Sequence, residues 1–197
     1  MRFQEFPFQN LDSARKFITS IRKSLSDEFV KFSSYKIQSK VINSDEFKRS
    51  KNIACFVGSK GEPDTSLILE QKNKNIFLPK VVSESNIEFF LYKGELKEGK
   101  FGIPEPKSDE SVDIKNIELF LVPGLLFDKR GFRVGYGKGY YDKALSERKR
   151  EKSNVWALAW SFQVFDKIEH NKSNDVFVEK IFTEVYVLNT LTGEIKF

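Results

Sequence analysis

Residues 52–79 read NIACFVGSKGEPDTSLILEQKNKNIFLP, and this stretch decides the fold class. The apolar run 53–57 stops at Gly58, which is the pattern of a short strand buried on both faces. A helix is predicted at 66–71 and a second strand at 75–78, which a proline closes. A strand, a helix and a strand in that order predict a βαβ unit with parallel strands.

The same alternation extends over the rest of the chain. Apolar residues at three- and four-residue steps predict a helical N-terminal segment, with Asp12 or Ser13 available as the cap of its first helix. The other predicted elements are helices at 27–47 and 140–147, a hairpin or loop at 93–115, and strands at 87–92, 117–122, 155–160 and 184–188. Together they predict an α/β fold: one domain over residues 1–197, with a mainly parallel sheet and helices on both faces.

The composition is that of a globular protein. Of the 197 residues, 40% are hydrophobic and 31% are charged, which is too apolar for a disordered chain. We find no long apolar run and no secretory signal, so we expect a cytoplasmic protein without a membrane partner. The 33 basic residues and 28 acids are interleaved, which argues against a nucleic-acid surface. Cys55 lies in an apolar run and is expected to be a buried, inert thiol.

Three alternating glycines stand between the predicted strand at 117–122 and the helix that follows it. They are Gly135, Gly137 and Gly139. Glycines at this spacing let the backbone approach an anion closely, so that its N–H groups can face phosphate oxygens. The spacing matches neither a Walker A loop nor the dinucleotide fingerprint, and a glycine-rich turn without a ligand is the alternative interpretation.

Charged and aromatic residues surround these glycines. Arg133 and Lys138 add positive charge, the first as a planar fork and the second as a point charge. Asp142 is a hard oxygen ligand, suited to Mg²⁺ beside phosphates. Tyr140 and Tyr141 offer flat faces for an aromatic ring. This combination favours a phosphate-binding loop with a metal over a chance turn.

Two consecutive motifs carry a family resemblance. Residues 123–128 read PGLLFD and residues 131–142 read GFRVGYGKGYYD. Together they resemble the signature of 5-formyltetrahydrofolate cyclo-ligases. Further segments that resemble this family, in the same order, are GEPDT at 61–65, FLP at 77–79, FGIPEP at 101–106, ALAW at 157–160 with the glutamine at 163, ND at 174–175 and FTE at 182–184.

The resemblance implies an ATP- and Mg²⁺-dependent cyclisation of 5-formyltetrahydrofolate to 5,10-methenyltetrahydrofolate. ATP phosphorylates the formyl oxygen, N10 attacks the activated carbon, and ADP and phosphate are released. Phosphoryl transfer depends mostly on positioning and charge neutralisation, so a chain without a reactive cysteine can perform it. We therefore expect small-molecule partners, no nucleic acid and a monomer.

The resemblance also implies roles for individual residues. The expected catalytic residues are Arg133, Lys138 and Tyr141. The expected ATP-binding residues are Arg15, Arg133, Val134, Gly135, Tyr136, Gly137, Lys138, Gly139, Tyr140 and Tyr141. The expected folate-binding residues are Val57, Glu62, Tyr136, Gly137, Lys138, Gly139 and Tyr140, and the expected Mg²⁺ ligands are Asp142 and Asp175.

Two positions depart from the family pattern. Leu11 stands where the family usually carries a lysine four residues before the arginine, and Lys16 or Arg22 could compensate for it at the ATP phosphates. Asn174 stands where many relatives have a histidine, and the single His170 is expected to be solvated on a charged loop.

Two other functions remain open from the sequence. One is another α/β enzyme acting on a phosphorylated substrate, which would not need the two tyrosines and the aspartate after the glycines. The other is a non-catalytic nucleotide- or RNA-binding descendant, which the net charge of +5 and Leu11 favour. The presence of Glu62, Arg133, Lys138 and Asp142 argues against it.

Overall fold

A computed structural model describes residues 3–169 and 176–197 of the protein. The α-helices of this part are α1 (Leu11–Ser24), α2 (Asp27–Asn43), α3 (Asp45–Arg49), α4 (Ser66–Leu69) and α5 (Tyr140–Ser146). Short 3-10 helices are at Lys100–Gly102, Ile114–Asn116 and Ser161–Gln163. The strands are β1 (Asn52–Ala54), β2 (Asn75–Ser83), β3 (Asn86–Leu91), β4 (Leu96–Glu98), β5 (Pro104–Pro106), β6 (Leu119–Val122), β7 (Leu126–Asp128), β8 (Arg133–Val134), β9 (Asn154–Leu158), β10 (Val164–Phe165), β11 (Lys180–Phe182), β12 (Val187–Asn189) and β13 (Ile195–Lys196).

The main sheet has the strand order β13-β12-β11-β9-β6-β1-β2-β3. Its central strands, from β11 to β2, are parallel, and antiparallel strands complete both edges. Strands β1 and β2 pair in parallel, with Ile53 opposite Ile76. The predicted βαβ unit and the mainly parallel sheet are therefore confirmed.

Helices cover both faces of this sheet, as predicted. Alternate residues of β6 belong to opposite sides: Leu119 and Leu121 pack with residues of α2, α3 and α4, whereas Phe120 and Val122 pack with residues of α5. A strand that is apolar at every position is what a sheet covered on both faces requires. None of the helices in the described ranges is long and apolar enough to cross a membrane.

Two small sheets lie outside the main one. Strands β4 and β5 form a hairpin, which confirms the prediction for 93–115. Strands β10, β7 and β8 form a three-stranded sheet that the sequence did not predict. Helix α1 packs on this second sheet, with Ala14 and Ile18 against Leu126 and Val134. Strands of two or three residues show no readable alternation, which explains the omission.

Serine and asparagine side chains set the helix boundaries. Asn10, not Asp12 or Ser13, caps α1, because its side chain accepts a hydrogen bond from the Ser13 N–H at 2.9 Å. The single helix predicted at 27–47 is wrong. Ser44 donates its hydroxyl to the last turn of α2 and accepts the Phe47 N–H of α3, so it ends one helix and begins the next.

Two strand predictions also need correction. Strand β2 continues past Pro79. On the side of β1 the pairing ends at Phe77, so no strand of the described residues lies there to which residue 79 would have to donate a backbone N–H, and proline has none. The last strand was expected at 184–188, but a turn occupies its first half. There the Thr183 hydroxyl accepts the N–H groups of Val185 and Tyr186, and this turn joins β11 to β12.

Candidate active site

The candidate site lies at the carboxyl ends of the central parallel strands. The connections that leave β1, β6 and β9 meet there. The Trp160 indole N–H, after β9, donates to the Gly61 carbonyl at 2.8 Å. The Gln163 amide, at the end of the following 3-10 helix, donates to the Gly124 carbonyl after β6 at 3.0 Å. In α/β sheets this edge is where ligands usually bind.

The turn after β1 is built tightly around glycines. A Cβ on Gly58 would lie 2.3 Å from the Pro63 carbonyl oxygen. Gly61 has a φ of 73°, and a Cβ there would lie 2.3 Å from the Arg22 carbonyl oxygen. The turn therefore tolerates no side chain at either position, and it presses against the end of α1.

Glu62 is buried at the end of this turn rather than solvated. Glu62 is 8% exposed. Oε2 accepts the Ser59 backbone N–H at 3.1 Å and the Ser59 hydroxyl at 3.4 Å. Oε1 accepts the Tyr136 hydroxyl at 3.2 Å and lies 3.3 Å from Arg22 Nη2. The structure thus brings Glu62 to the glycine-rich loop.

Arg22 lies away from the position expected from the sequence. It was expected to be able to replace the missing lysine at the ATP phosphates, but its guanidinium lies under the turn that carries Glu62. Nε donates to the Gly61 carbonyl at 3.2 Å, and Nη2 donates to the Ser59 carbonyl at 3.2 Å. Arg22 is 2% exposed and is in register with the buried residues Ala14 and Ile18 of α1. A charged residue on a buried helical stripe was the signal that could have identified it.

The glycine-rich loop begins with a buried ion pair. Arg133 is 6% exposed, and its Nη2 donates to Asp142 Oδ1 at 2.7 Å. Its Nη1 lies 3.4 Å from the Pro123 carbonyl oxygen, and its guanidinium is 5.5 Å from the centre of the Tyr141 ring. The predicted phosphate-binding arginine and the predicted metal ligand are therefore in direct contact.

Tyrosines join the loop to its surroundings. Burial and the neighbouring Glu62 charge raise the pKa of Tyr136 to about 12, so its hydroxyl remains a donor at neutral pH. Burial, with Glu62 as a second cause, raises the pKa of Tyr141 far above its usual range. The Tyr140 hydroxyl donates to the Glu84 carbonyl at 3.0 Å, which ties α5 to the turn between β2 and β3.

Arg15 reaches the loop from α1. Its Nε donates to the Gly135 carbonyl at 2.9 Å, and its Nη1 pairs with Asp12 at 2.6 Å. Lys138 is exposed at the tip of the loop. Val134, in contrast, is buried against α1, so a nucleotide contact there would use its backbone.

Two further positions from the sequence pack against apolar clusters. Val57, an expected folate contact, is half-buried after β1 and packs against the core on the side of α2 to α4. Leu11 packs against the apolar cluster that α1 shares with the small sheet.

One carboxylate near the loop fits a magnesium ion. The Asp142 side chain is 28% exposed, and within the described ranges it accepts the hydrogen bond from Arg133 through Oδ1. Mg²⁺ in proteins is typically held by one or two carboxylates together with substrate phosphates and water. Asp175, His170 and Asn174 lie outside the described residues. No cluster of three or more metal-ligating side chains occurs in residues 3–169 and 176–197.

Other residues of the matching motifs have structural roles. Asp128 is fully buried and accepts the Phe132 N–H and the Ile168 N–H, which shapes the turn that leads to Arg133. Glu105 accepts the Val81 N–H of β2. Cys55 is fully buried, as expected, and burial raises the pKa of its thiol to about 12.

Comparisons with known proteins agree with this geometry. The family model described as the 5-formyltetrahydrofolate cyclo-ligase family matches residues 9–184. A probable 5-formyltetrahydrofolate cyclo-ligase of Schizosaccharomyces pombe is 32% identical over 154 residues, which cover 73% of this chain and 73% of that protein.

Solved structures are similar over nearly the whole chain. The 5,10-methenyltetrahydrofolate synthetase of Aquifex aeolicus has a TM-score of 0.82 and 34% identity, covering 93% of this chain and 94% of that one. The corresponding synthetase of Mycoplasma pneumoniae has a TM-score of 0.72 and 25% identity, covering 89% and 99%. The chain belongs to the 5-formyltetrahydrofolate cyclo-ligase family.

Proposed function

We propose that this enzyme converts 5-formyltetrahydrofolate to 5,10-methenyltetrahydrofolate at the expense of ATP, which becomes ADP and phosphate. Membership of the family and the structural likeness to methenyltetrahydrofolate synthetases support the overall reaction. The ATP-dependent mechanism, the metal and the individual residue roles are proposals for this chain.

The proposed chemistry has two steps. The formyl oxygen attacks the γ-phosphorus of ATP, and the bond from that phosphorus to the bridging oxygen breaks to release ADP. The lone pair of N10 then attacks the formyl carbon, N10 loses its proton, and the carbon–oxygen bond breaks with phosphate as the leaving group. Without phosphorylation the formyl oxygen would be a poor leaving group.

One observation supports this function above the others. The Tyr136 hydroxyl, between two glycines of the loop, lies 3.2 Å from Glu62 Oε1 in the turn after β1. The proposed phosphate site and the proposed folate site are therefore neighbours. A reaction that transfers a phosphoryl group from one ligand to the other requires this proximity, because positioning supplies much of its rate.

The side chains around the loop suit phosphates. Arg15 and Arg133 are cations beside its backbone, and Lys138 is an exposed point charge at its tip. We assign Arg133 and Lys138 to the charge that develops on the transferred group, and Tyr141 to a neutral donor beside them. Asp142, with Asp175, would hold Mg²⁺, which when bound neutralises phosphate charge.

The remaining proposed contacts belong to the folate. Glu62 would accept hydrogen bonds from pteridine N–H groups, and Val57 would contact the ring system. The loop from Tyr136 to Tyr140 would line both ligands. Flat aromatic faces and a buried carboxylate are the groups that a polar heteroaromatic ring requires.

The test is direct. The protein, Mg-ATP and 5-formyltetrahydrofolate should together produce the absorbance of the methenyl product, and omission of ATP or addition of EDTA should abolish it. Full turnover in EDTA would contradict the metal assignment. ATP binding without any methenyl product would instead favour a non-catalytic descendant of the family.

A further inference from the structure

Polar contacts occupy both carboxylate oxygens of Glu62. Oε2 accepts two hydrogen bonds from Ser59, and Oε1 accepts one from the Tyr136 hydroxyl and has an ion-pair contact with Arg22. A carboxylate offers about four acceptor positions on its two oxygens. At Oε1, a pteridine N–H therefore has to compete with the Tyr136 hydroxyl or with Arg22.

The two groups at Oε1 differ in how firmly they are held. Arg22 is 2% exposed and is held by two carbonyl oxygens of the turn that carries Glu62. Tyr136 is 52% exposed and stands between Gly135 and Gly137, the second with a φ of 94°. Of these two groups, Tyr136 is the one that can leave without opening the core.

Arg22 has an unused donor beneath Tyr136. Its Nη1 is buried and has no hydrogen-bond partner within the described part of the chain. The guanidinium carbon lies 5.9 Å from the centre of the Tyr136 ring. When the ring moves, this buried nitrogen becomes available to a ligand acceptor beside the Glu62 carboxylate. An acceptor and a donor side by side match the adjacent N–H and carbonyl of a pteridine edge.

We propose that the Tyr136 hydroxyl occupies the pteridine position in the free enzyme, and that 5-formyltetrahydrofolate displaces it while Arg22 stays and positions Glu62. This inference rests on the proposed function and adds two roles to it. Tyr136 is a competitor of the substrate at Glu62, and Arg22 both holds Glu62 in place and donates to the pteridine carbonyl.

The two roles predict effects of opposite sign. Tyr136→Phe keeps the ring but removes the competing hydroxyl, so the dissociation constant for 5-formyltetrahydrofolate should fall about three- to tenfold, the size of one net hydrogen bond. The substrate is titrated by calorimetry without ATP, so that no turnover occurs. Tyr35→Phe is the matched control, since Tyr35 is 59% exposed on α2, and it should change nothing.

Arg22 is tested in the other direction. Arg22→Met should raise the same dissociation constant at least about tenfold, and Arg22→Lys should recover part of the loss. In Arg22→Lys the KM for the folate should rise by a larger factor than kcat falls, because Arg22 acts mainly on binding. Thermal unfolding of each variant shows that it is folded. Wild-type folate affinity in folded Arg22→Met would overturn the role of Arg22.

The outcomes separate this inference from the proposed function. If the wild-type enzyme forms the methenyl product but Tyr136→Phe binds folate equally or more weakly, the displacement is wrong and the function stands. If the wild-type enzyme neither binds nor converts 5-formyltetrahydrofolate, the proposed function and the displacement both fail.

Discussion

Replacing Glu62 by glutamine changes the carboxylate that Ser59, Tyr136 and Arg22 contact. The amide keeps the shape of the carboxylate but turns one acceptor oxygen into an NH₂ donor. On the Oε2 side this donor would face the Ser59 N–H, 3.1 Å away, and on the Oε1 side it would face Arg22, 3.3 Å away. Either orientation leaves a buried donor without an acceptor, at a cost of about 1–3 kcal/mol.

The loss of charge adds to this cost. The side chains of Arg22 and Glu62 are 1% and 7% exposed, so their ion pair is buried. Removing one partner of such a pair typically costs about 3–5 kcal/mol. Arg22 retains the carbonyl oxygens of Ser59 and Gly61, so we expect a loss at the low end of this range, about 3 kcal/mol in the free energy of unfolding. Urea unfolding of both proteins measures this difference.

The ligand titrations are the decisive measurement for Glu62→Gln. The folate affinity should fall at least about tenfold, since about 1.4 kcal/mol is one decade in the dissociation constant. The Mg-ATP affinity should stay within about twofold, because the proposed phosphate contacts come from the loop and from Arg15. Glu88→Gln is the control, because Glu88 is an exposed glutamate on β3 and should leave both affinities unchanged.

Two results would refute this reasoning. Wild-type affinity for both ligands would mean that Glu62 does not contact the folate, even though it is buried at the loop. Equal losses for folate and Mg-ATP would mean that the substitution disrupts the site as a whole.

Three further predictions test other groups. Asp142→Asn should raise the Mg²⁺ concentration needed for half-maximal turnover at least about tenfold, and an unchanged metal titration would place the ligand elsewhere. Lys138→Ala should lower kcat about a hundredfold with folate affinity retained, because its charge acts on the transferred phosphoryl group, and the reverse pattern would make Lys138 a substrate clamp. Cys55 should resist iodoacetamide at pH 8 until urea unfolds the protein, since burial raises the pKa of its thiol to about 12, and rapid labelling of the native protein would contradict this. The thiol of the unfolded chain has a pKa of about 8.5 and loses its proton more easily than the folded thiol. The free energy of unfolding should therefore fall as the pH rises above about 8.5. Cys55→Ala should remove this part of the pH dependence in urea unfolding.

The parallel core could be predicted because its central strands consist mostly of apolar residues. The runs that became β1, β6 and β9 needed no long-range information, since burial on both faces determines their composition. The small sheet of β7, β8 and β10 was missed because its strands are only two or three residues long and because β10 pairs with a strand that is distant in sequence. The break at Ser44 was missed because a serine in a helical stretch can either point to solvent or hydrogen-bond to the backbone and end the helix. The sequence does not show which of the two occurs.

The candidate site was predictable to the extent that its residues are close in sequence. The glycine spacing and the charges of Arg133 and Asp142 occur within ten residues, and the structure does pair these two side chains. Arg22 and Glu62 are forty residues apart, and no periodicity links them. The buried stripe of α1 indicates that Arg22 needs a partner, but only the fold identifies Glu62 as that partner.

Helix α1 connects the two halves of the site. Arg15 and Arg22 are seven residues apart, which is about two helical turns and places them on one face. Arg15 holds the Gly135 carbonyl in the loop, and Arg22 holds the turn that carries Glu62. A shift of α1 would therefore move both proposed ligand sites together. Leu11, one turn before Arg15, packs against the apolar cluster under α1 and helps to keep in place the helix that aligns the two proposed sites.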